Sequence, residues 1–166
     1  MSLENARRHL ARFGKADSIL EFPVSSATVH DAALALDTED RRIAKTLSFR
    51  GAAEPSAAGF PCILVVAAGD ARIDNRKFRE HFGFKARMLN ADEAIAATGH
   101  AVGGVCPFGV DNPLADIYLD VSLNRFTTVF PACGSGNSAI ELTIDELERC
   151  SAAKGWVDVC KDWEGQ

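Results

Sequence analysis

The sequence predicts a mixed α/β fold built on a single sheet, and two observations lead there. Helical and strand patterns alternate irregularly along the chain, and the second half carries several strand-turn-strand units that a doubly wound parallel sheet would not contain. The apolar run ending at Ala68, with turn signals on both sides, supplies the central strand of that sheet. At 166 residues the chain has room for one sizeable core, so a single domain spanning residues 1–166 is expected.

Each element has its own local reason. Leu3, Ala6, Leu10 and Phe13 recur at helical spacing and Gly14 stops them, which predicts a helix over 3–13. Ile19, Leu20 and Phe22 make a short strand closed by Pro23. Thr28 and Asp31 form a start signal for a helix whose apolar face is Val29, Ala32, Ala33 and Leu36, ending near Asp37. From Arg42 to Phe49 residues alternate, with Ile43, Lys45, Leu47 and Phe49 on one face and Ala44, Thr46 and Ser48 on the other.

A loop over 51–59 leads into the central strand Pro61–Ala68, and Gly69-Asp70 turns the chain. Asp74 caps a helix that Gly83 closes; Asn90 and Glu93 cap another that Gly99 ends. A strand is predicted over 117–120, a turn over 122–125 and a strand over 127–132. Gly134 to Asn137 then turn the chain into a strand over 138–142, Thr143 and Glu146 box the last helix, and 157–159 adds an edge strand.

Composition excludes several classes of function. The chain is 47% apolar and 25% charged, and its longest apolar run, Cys62 to Ala68, is far too short to span a bilayer. The N-terminal arginines have no apolar stretch behind them, so no secretory signal is read and a cytoplasmic protein is expected. Five cysteines without a C-x-x-C pair and four scattered histidines suggest neither a disulfide framework nor a metal site. Net charge of -5 argues against coating nucleic acid by bulk electrostatics. The cations are nevertheless clustered, at 41–50 and at 72–87, which suits either a mixed solvated surface or a local rim for one end of a tRNA.

The stretch from Ala101 to Asn112 holds Gly103, Gly104 and Gly109 together with Cys106 and Pro107. Such a loop lets a ligand approach main-chain N–H groups, or simply connects two buried strands. Lys45 also has two readings: a strand-edge lysine snorkelling to water, or a cation in a cleft.

Three separated pieces occur together: Ala44-Lys45-Thr46-Leu47, Val102 to Gly109, and Cys133-Gly134 followed by Ala139-Ile140-Glu141-Leu142. Their order and spacing resemble the YbaK and prolyl-tRNA-synthetase-associated editing-domain family over roughly residues 15–160. The resemblance implies a strongly curved mixed sheet with surrounding helices. It also implies a free-standing, trans-acting deacylase that needs no cofactor or metal and removes a wrong amino acid from tRNA, with tRNA(Pro) the expected carrier. Its expected partners are the acceptor end of an aminoacyl-tRNA and prolyl-tRNA synthetase. The family's lysine falls on Lys45 and its substrate loop on Gly103 to Gly109.

On this basis Lys45, Gly104, Val105 and Cys106 are the expected catalytic positions. Phe22, Thr28, Thr46, Gly103, Pro107, Phe108, Gly109, Gly134 and Ala139 are the expected substrate contacts. Phe22, Cys106 and Ala139 stand where the cysteine-specific branch of the family has a tyrosine, a serine and an aspartate, which puts cysteinyl-tRNA in doubt as the substrate.

The chemistry agrees with that assignment. An aminoacyl ester is already activated, so orientation, a water and donors aimed at the oxyanion suffice, and losing one donor costs about 2.7–4 kcal/mol. Main-chain N–H groups from Gly104 to Cys106 are the expected donors, with Lys45 holding phosphate or ester oxygens. Two rivals stay open. Cys106 is either a small buried hydrophobe or a thiolate nucleophile helped by His100 or Lys45. The whole domain is either a hydrolase or a binding module that has kept the pocket without catalysis.

Overall fold

The computed structural model describes residues 2–165. Helix α1 (Ser2–Ala11) precedes the short strand β1 (Leu20–Glu21), and α2 (Val29–Leu36) precedes β2 (Ile43–Arg50). Strands β3 (Cys62–Ala68) and β4 (Arg72–Ile73), helices α3 (Asn75–Phe82) and α4 (Ala91–Thr98), and strand β5 (Ala115–Asp120) follow. The chain closes with β6 (Thr128–Pro131), β7 (Ser138–Ala139), β8 (Leu142–Thr143), α5 (Ile144–Ser151), β9 (Gly155–Val157) and β10 (Cys160–Lys161).

Six of these strands form one curled mixed sheet in the order β8-β6-β2-β3-β5-β9. Strand β3 lies at its centre, antiparallel to β2 and parallel to β5, and all seven of its residues are buried. That burial on both faces explains its continuous apolar sequence. Two small antiparallel ribbons, β1 with β7 and β4 with β10, are separate from this sheet.

The caps read from the sequence are present. Thr28 and Asp74 each accept a hydrogen bond from the first turn of their helices, while Asn90–Glu93 and Thr143–Glu146 form complete reciprocal boxes. Helix α1 stops at Ala11, because Arg12, Phe13 and Gly14 donate to carbonyls three residues back and tighten the last turn. The strand expected over 138–142 is broken in two: β7 pairs with β1 and β8 with β6, while Ile140 between them donates to Pro131 O at 3.0 Å. The predicted edge strand lies two residues earlier, at 155–157, parallel to β5.

Asp120 is buried at the end of β5 and accepts hydrogen bonds from the N–H groups of Ser122 (2.9 Å) and Val159 (3.0 Å). It ties the C-terminal segment to the sheet. Glu141 is exposed and accepts from Thr128 Oγ1 at 2.6 Å. All five cysteines are reduced and buried.

Candidate functional site

The site originates in a gap along one edge of β2. On its β3 side the strand is paired from Ala44 to Arg50. On the other side β6 reaches only Ile43 and Ala44, where it ends in Pro131, a residue with no N–H to extend the ladder. Pairing resumes when Leu89 donates to Ser48 O and Arg50 to Arg87 O. Between these two contacts, at Lys45 to Leu47, no strand among the described residues covers the second edge of β2.

A cavity of about 300 Å³ occupies this gap. Residues from both faces of β2 line it, Lys45 and Thr46 among them, although strict alternation puts these two on opposite faces. The remaining wall comes from the Ser26–Val29 stretch before α2, from Met88 and Leu89, from Phe130 and Ala139, and from Val102, Gly103 and Val105 of the glycine loop. Lys45 is the sole titratable side chain among the described lining residues.

The polar groups of the wall are unevenly used. Thr28 is committed as the cap of α2, accepting from Asp31 N at 3.0 Å. The hydroxyls of Ser26 and Thr46, by contrast, are buried without any hydrogen-bond partner among the described residues. The Lys45 ammonium donates to Gly69 O at 3.2 Å and to Ala71 O, in the turn after β3. Two of its three N–H donors are thereby used within the described residues. Burial is the main cause that pulls its pKa below the ordinary lysine value, with Cys160 and Asp70 opposing. Lys45 therefore follows neither simple reading: it lines the cleft, but protein carbonyls anchor its head.

The glycine loop divides at Gly104. The N–H groups of Gly103 and Val105, both in the cavity wall, make no hydrogen bond within the described residues. Gly103 has φ of 98°, and a side chain there would press on Ala27 Cβ at 2.9 Å. The Gly104 N–H, expected as an oxyanion donor, is already spent on Ala101 O at 2.9 Å. Gly104 is needed for packing instead, since an added Cβ would sit 2.7 Å from the Gly134 carbonyl carbon and the Ser135 nitrogen.

Beyond Gly104 the loop dives into the core. Cys106 and Phe108 are fully buried, Pro107 is buried, and the Phe108 ring lies 5.8 Å from the His9 ring of α1. Gly109 backs onto the Asn5 carbonyl of α1. Gly134 accepts from the Ser2 hydroxyl, and Phe22 is tied to Asn137 by two hydrogen bonds. None of these residues lines the cavity, whereas Ala139 does.

The thiolate reading of Cys106 meets a chemical obstacle as well as burial. His100 Nε2 is 2.7 Å from Phe108 O and must donate to it, so this nitrogen carries a proton. Cys106 Sγ faces that same nitrogen at 3.6 Å and finds no base there. Burial pushes the thiol up to about 12, keeping it protonated.

Ser26 and Phe130 line the cavity and are not among the site residues expected from the sequence. A serine in a polar loop and an apolar residue on a strand carry no local mark of a ligand wall. Only the gap between β6 and the 87–89 segment recruits them.

The fold has counterparts among solved structures. A protein proposed to be a trans-editing enzyme for prolyl tRNA synthetase is 29% identical, with 96% of this chain and 97% of that one covered and a TM-score of 0.81. The hypothetical protein APE2540 is 27% identical, with 92% and 99% covered and a TM-score of 0.76. The uncharacterized protein YwhH of Bacillus subtilis (strain 168) is 56% identical over 164 residues, which is 99% of this chain and all of that protein. The family model of the aminoacyl-tRNA editing domain matches residues 24–150, from the start of the cavity wall into α5. By that match, which spans most of its length, the chain belongs to the aminoacyl-tRNA editing domain family.

Proposed function

We propose that this chain hydrolyses, in trans, the ester of a mischarged aminoacyl-tRNA, with tRNA(Pro) as the carrier. Family membership and the likeness to the protein proposed to edit for prolyl tRNA synthetase support the reading. The observation that carries it is the wall of the cavity. Two uncommitted main-chain N–H groups, at Gly103 and Val105, share it with Lys45 and the two unpartnered hydroxyls.

In the proposed step a water oxygen adds to the ester carbonyl and the carbonyl oxygen becomes an oxyanion. The N–H groups of Gly103 and Val105 stabilise that charge, and the remaining Lys45 N–H adds to the positive field. Collapse breaks the bond to the ribose oxygen, which leaves with a proton; the products are a free amino acid and tRNA. The substrate's own ribose hydroxyl positions the water, because the wall offers no carboxylate or imidazole. Prolyl-tRNA synthetase is the proposed partner and the cytoplasm the proposed location. No helix among the described residues is long and apolar enough to cross a membrane.

A second reading, a module that binds charged tRNA without cleaving it, draws on the same absence of a carboxylate or imidazole among the described lining residues and on Ala139, which contributes no carboxylate. A panel of mischarged tRNAs, incubated with the pure protein and followed by loss of the ester, separates the two. Hydrolysis of at least one member well above the spontaneous rate is the expected result. Protection of an ester without hydrolysis assigns the binding module.

A further inference from the structure

The two basic clusters of the sequence have different fates. In the first, Arg41 pairs with Glu39, Arg42 with Glu141 and Arg50 with Glu93, and Lys45 is held by carbonyls. That cluster is spent. In the second, Arg76 pairs with Glu80 at 3.1 Å and Lys77 with Asp158 at 3.1 Å. Arg72, Arg79, Lys85 and Arg87 remain exposed and form no ion pair or side-chain hydrogen bond among the described residues.

These free cations are not scattered. Arg79 and Lys85, together with Asn75, Arg76 and Glu80, line a second cavity of about 630 Å³, open to solvent. Glu80, the only carboxylate among its described lining residues, is already engaged by Arg76, which leaves an excess of positive charge on a protein of net charge -5. The segment then runs through Arg87 directly into the wall of the functional cavity at Met88 and Leu89. Lys85 is three residues from Met88, at most about 11 Å of extended chain. Met88 and Val102, 60% and 69% exposed, line the functional cavity and add apolar surface to its wall.

We propose that Arg79, Lys85 and Arg87 form the surface on which the sugar-phosphate backbone of an RNA acceptor stem lies while its 3′ end enters the cavity, a proposal that rests on the deacylase reading above. Cations without acidic partners suit a polyanion, because no intramolecular ion pair has to be broken on binding. Their continuity with the cavity suits a ligand whose phosphates extend from the group inside it. Met88 and Val102 meet the face of the terminal base. Phosphate contacts of this kind position the RNA and make its affinity salt-dependent without reading sequence.

The test is fluorescence polarisation of a labelled, uncharged RNA minihelix ending in CCA, titrated with the 166-residue protein between about 50 and 200 mM salt. Arg79→Gln with Lys85→Gln is expected to weaken binding at least about tenfold at the low-salt end, and to make the log–log salt slope shallower by about two. Arg8→Gln with Arg149→Gln makes the same change in net charge on α1 and α5 and is expected to leave the slope near that of the wild type. All four positions are exposed, and unchanged melting temperatures confirm folding.

Wild-type affinity and slope in the first pair would overturn the proposal, as would an equal loss in the second pair or a wild type whose binding ignores salt. The minihelix carries no ester, so binding is read independently of hydrolysis. A negative mischarged-tRNA panel with the slope change intact removes the deacylase reading and leaves the surface standing. Normal deacylation with unchanged KM in Arg79→Gln with Lys85→Gln removes the surface alone.

Discussion

Ser26 and Thr46 face one cavity from two different elements, and the hydroxyl oxygen of each is buried without a hydrogen-bond partner in the protein. A buried polar group left unsatisfied costs about 1–3 kcal/mol, so a pair of them at one cavity suits a place where water or a ligand supplies the missing bonds. Ser26→Ala and Thr46→Val are expected to leave the melting temperature unchanged or slightly raised. Deacylation is expected to fall about tenfold or more in each. Full activity in both variants removes the hydroxyls from the ligand contacts.

Lys45→Met keeps the aliphatic stem and deletes the head. Loss of the bonds to Gly69 O and Ala71 O is expected to cost no more than about 1–2 kcal/mol, since removing a desolvated charge offsets part of it. Loss of the positive field at the ester is expected to lower kcat at least about a hundredfold, the scale set by removal of one oxyanion donor. Thermal melting and single-turnover deacylation check the two effects separately. A large drop in stability with kcat intact assigns Lys45 to the fold.

Gly104→Ala tests packing at the loop. The added methyl meets main chain at Gly134 and Ser135, which cannot swing aside, so a destabilisation of about 1–3 kcal/mol is expected by chemical denaturation. Gly104 has no positive φ, and close approach alone sets this cost. An unperturbed midpoint contradicts the back-to-back arrangement of the two loops.

Cys106→Ser is expected to retain deacylation, because the thiol does not line the cavity and its N–H is unchanged by the substitution. At pH 8 a thiol with its pKa at about 12 is ionised in about one molecule in ten thousand, so native protein is expected to resist iodoacetamide at this position. An acyl adduct on Cys106 during turnover reverses this assignment.

The same thiols set an alkaline limit. Burial holds Cys106 at about 12 and Cys62 at about 11, whereas in the unfolded chain both ionise near 9. Their stabilisation is complete below pH 9 and is lost as pH rises toward 11–12, because the unfolded state sheds its protons first. The melting temperature is expected to fall between pH 8 and pH 10, and to fall less in Cys106→Ser. An identical pH dependence in both proteins contradicts the burial of that thiol.

Local chemistry made much of the fold legible in the sequence. The boxes at Asn90–Glu93 and Thr143–Glu146, the cap at Asp74 with its stop at Gly83, and the apolar run of β3 each depend on groups within one or two turns of chain. The break between β7 and β8 did not show, because Ile140 continues the strand pattern and only its bond to Pro131 O sends the two halves to different partners.

The sequence by itself determined the mixed α/β class and the family resemblance, which in turn implied that Lys45 and a glycine loop share one site. Tertiary structure decided which of those residues face the cavity. Gly103 and Val105 line it, while Gly104 lies against Gly134 and Cys106 and Phe108 are buried beneath the loop. Ser26, Thr46 and Phe130 meet across long stretches of sequence because β6 ends at Pro131 and leaves one edge of β2 open. No periodicity or spacing encodes such a gap: it is set by which strands run out beside one another, and that is fixed only when the whole sheet closes.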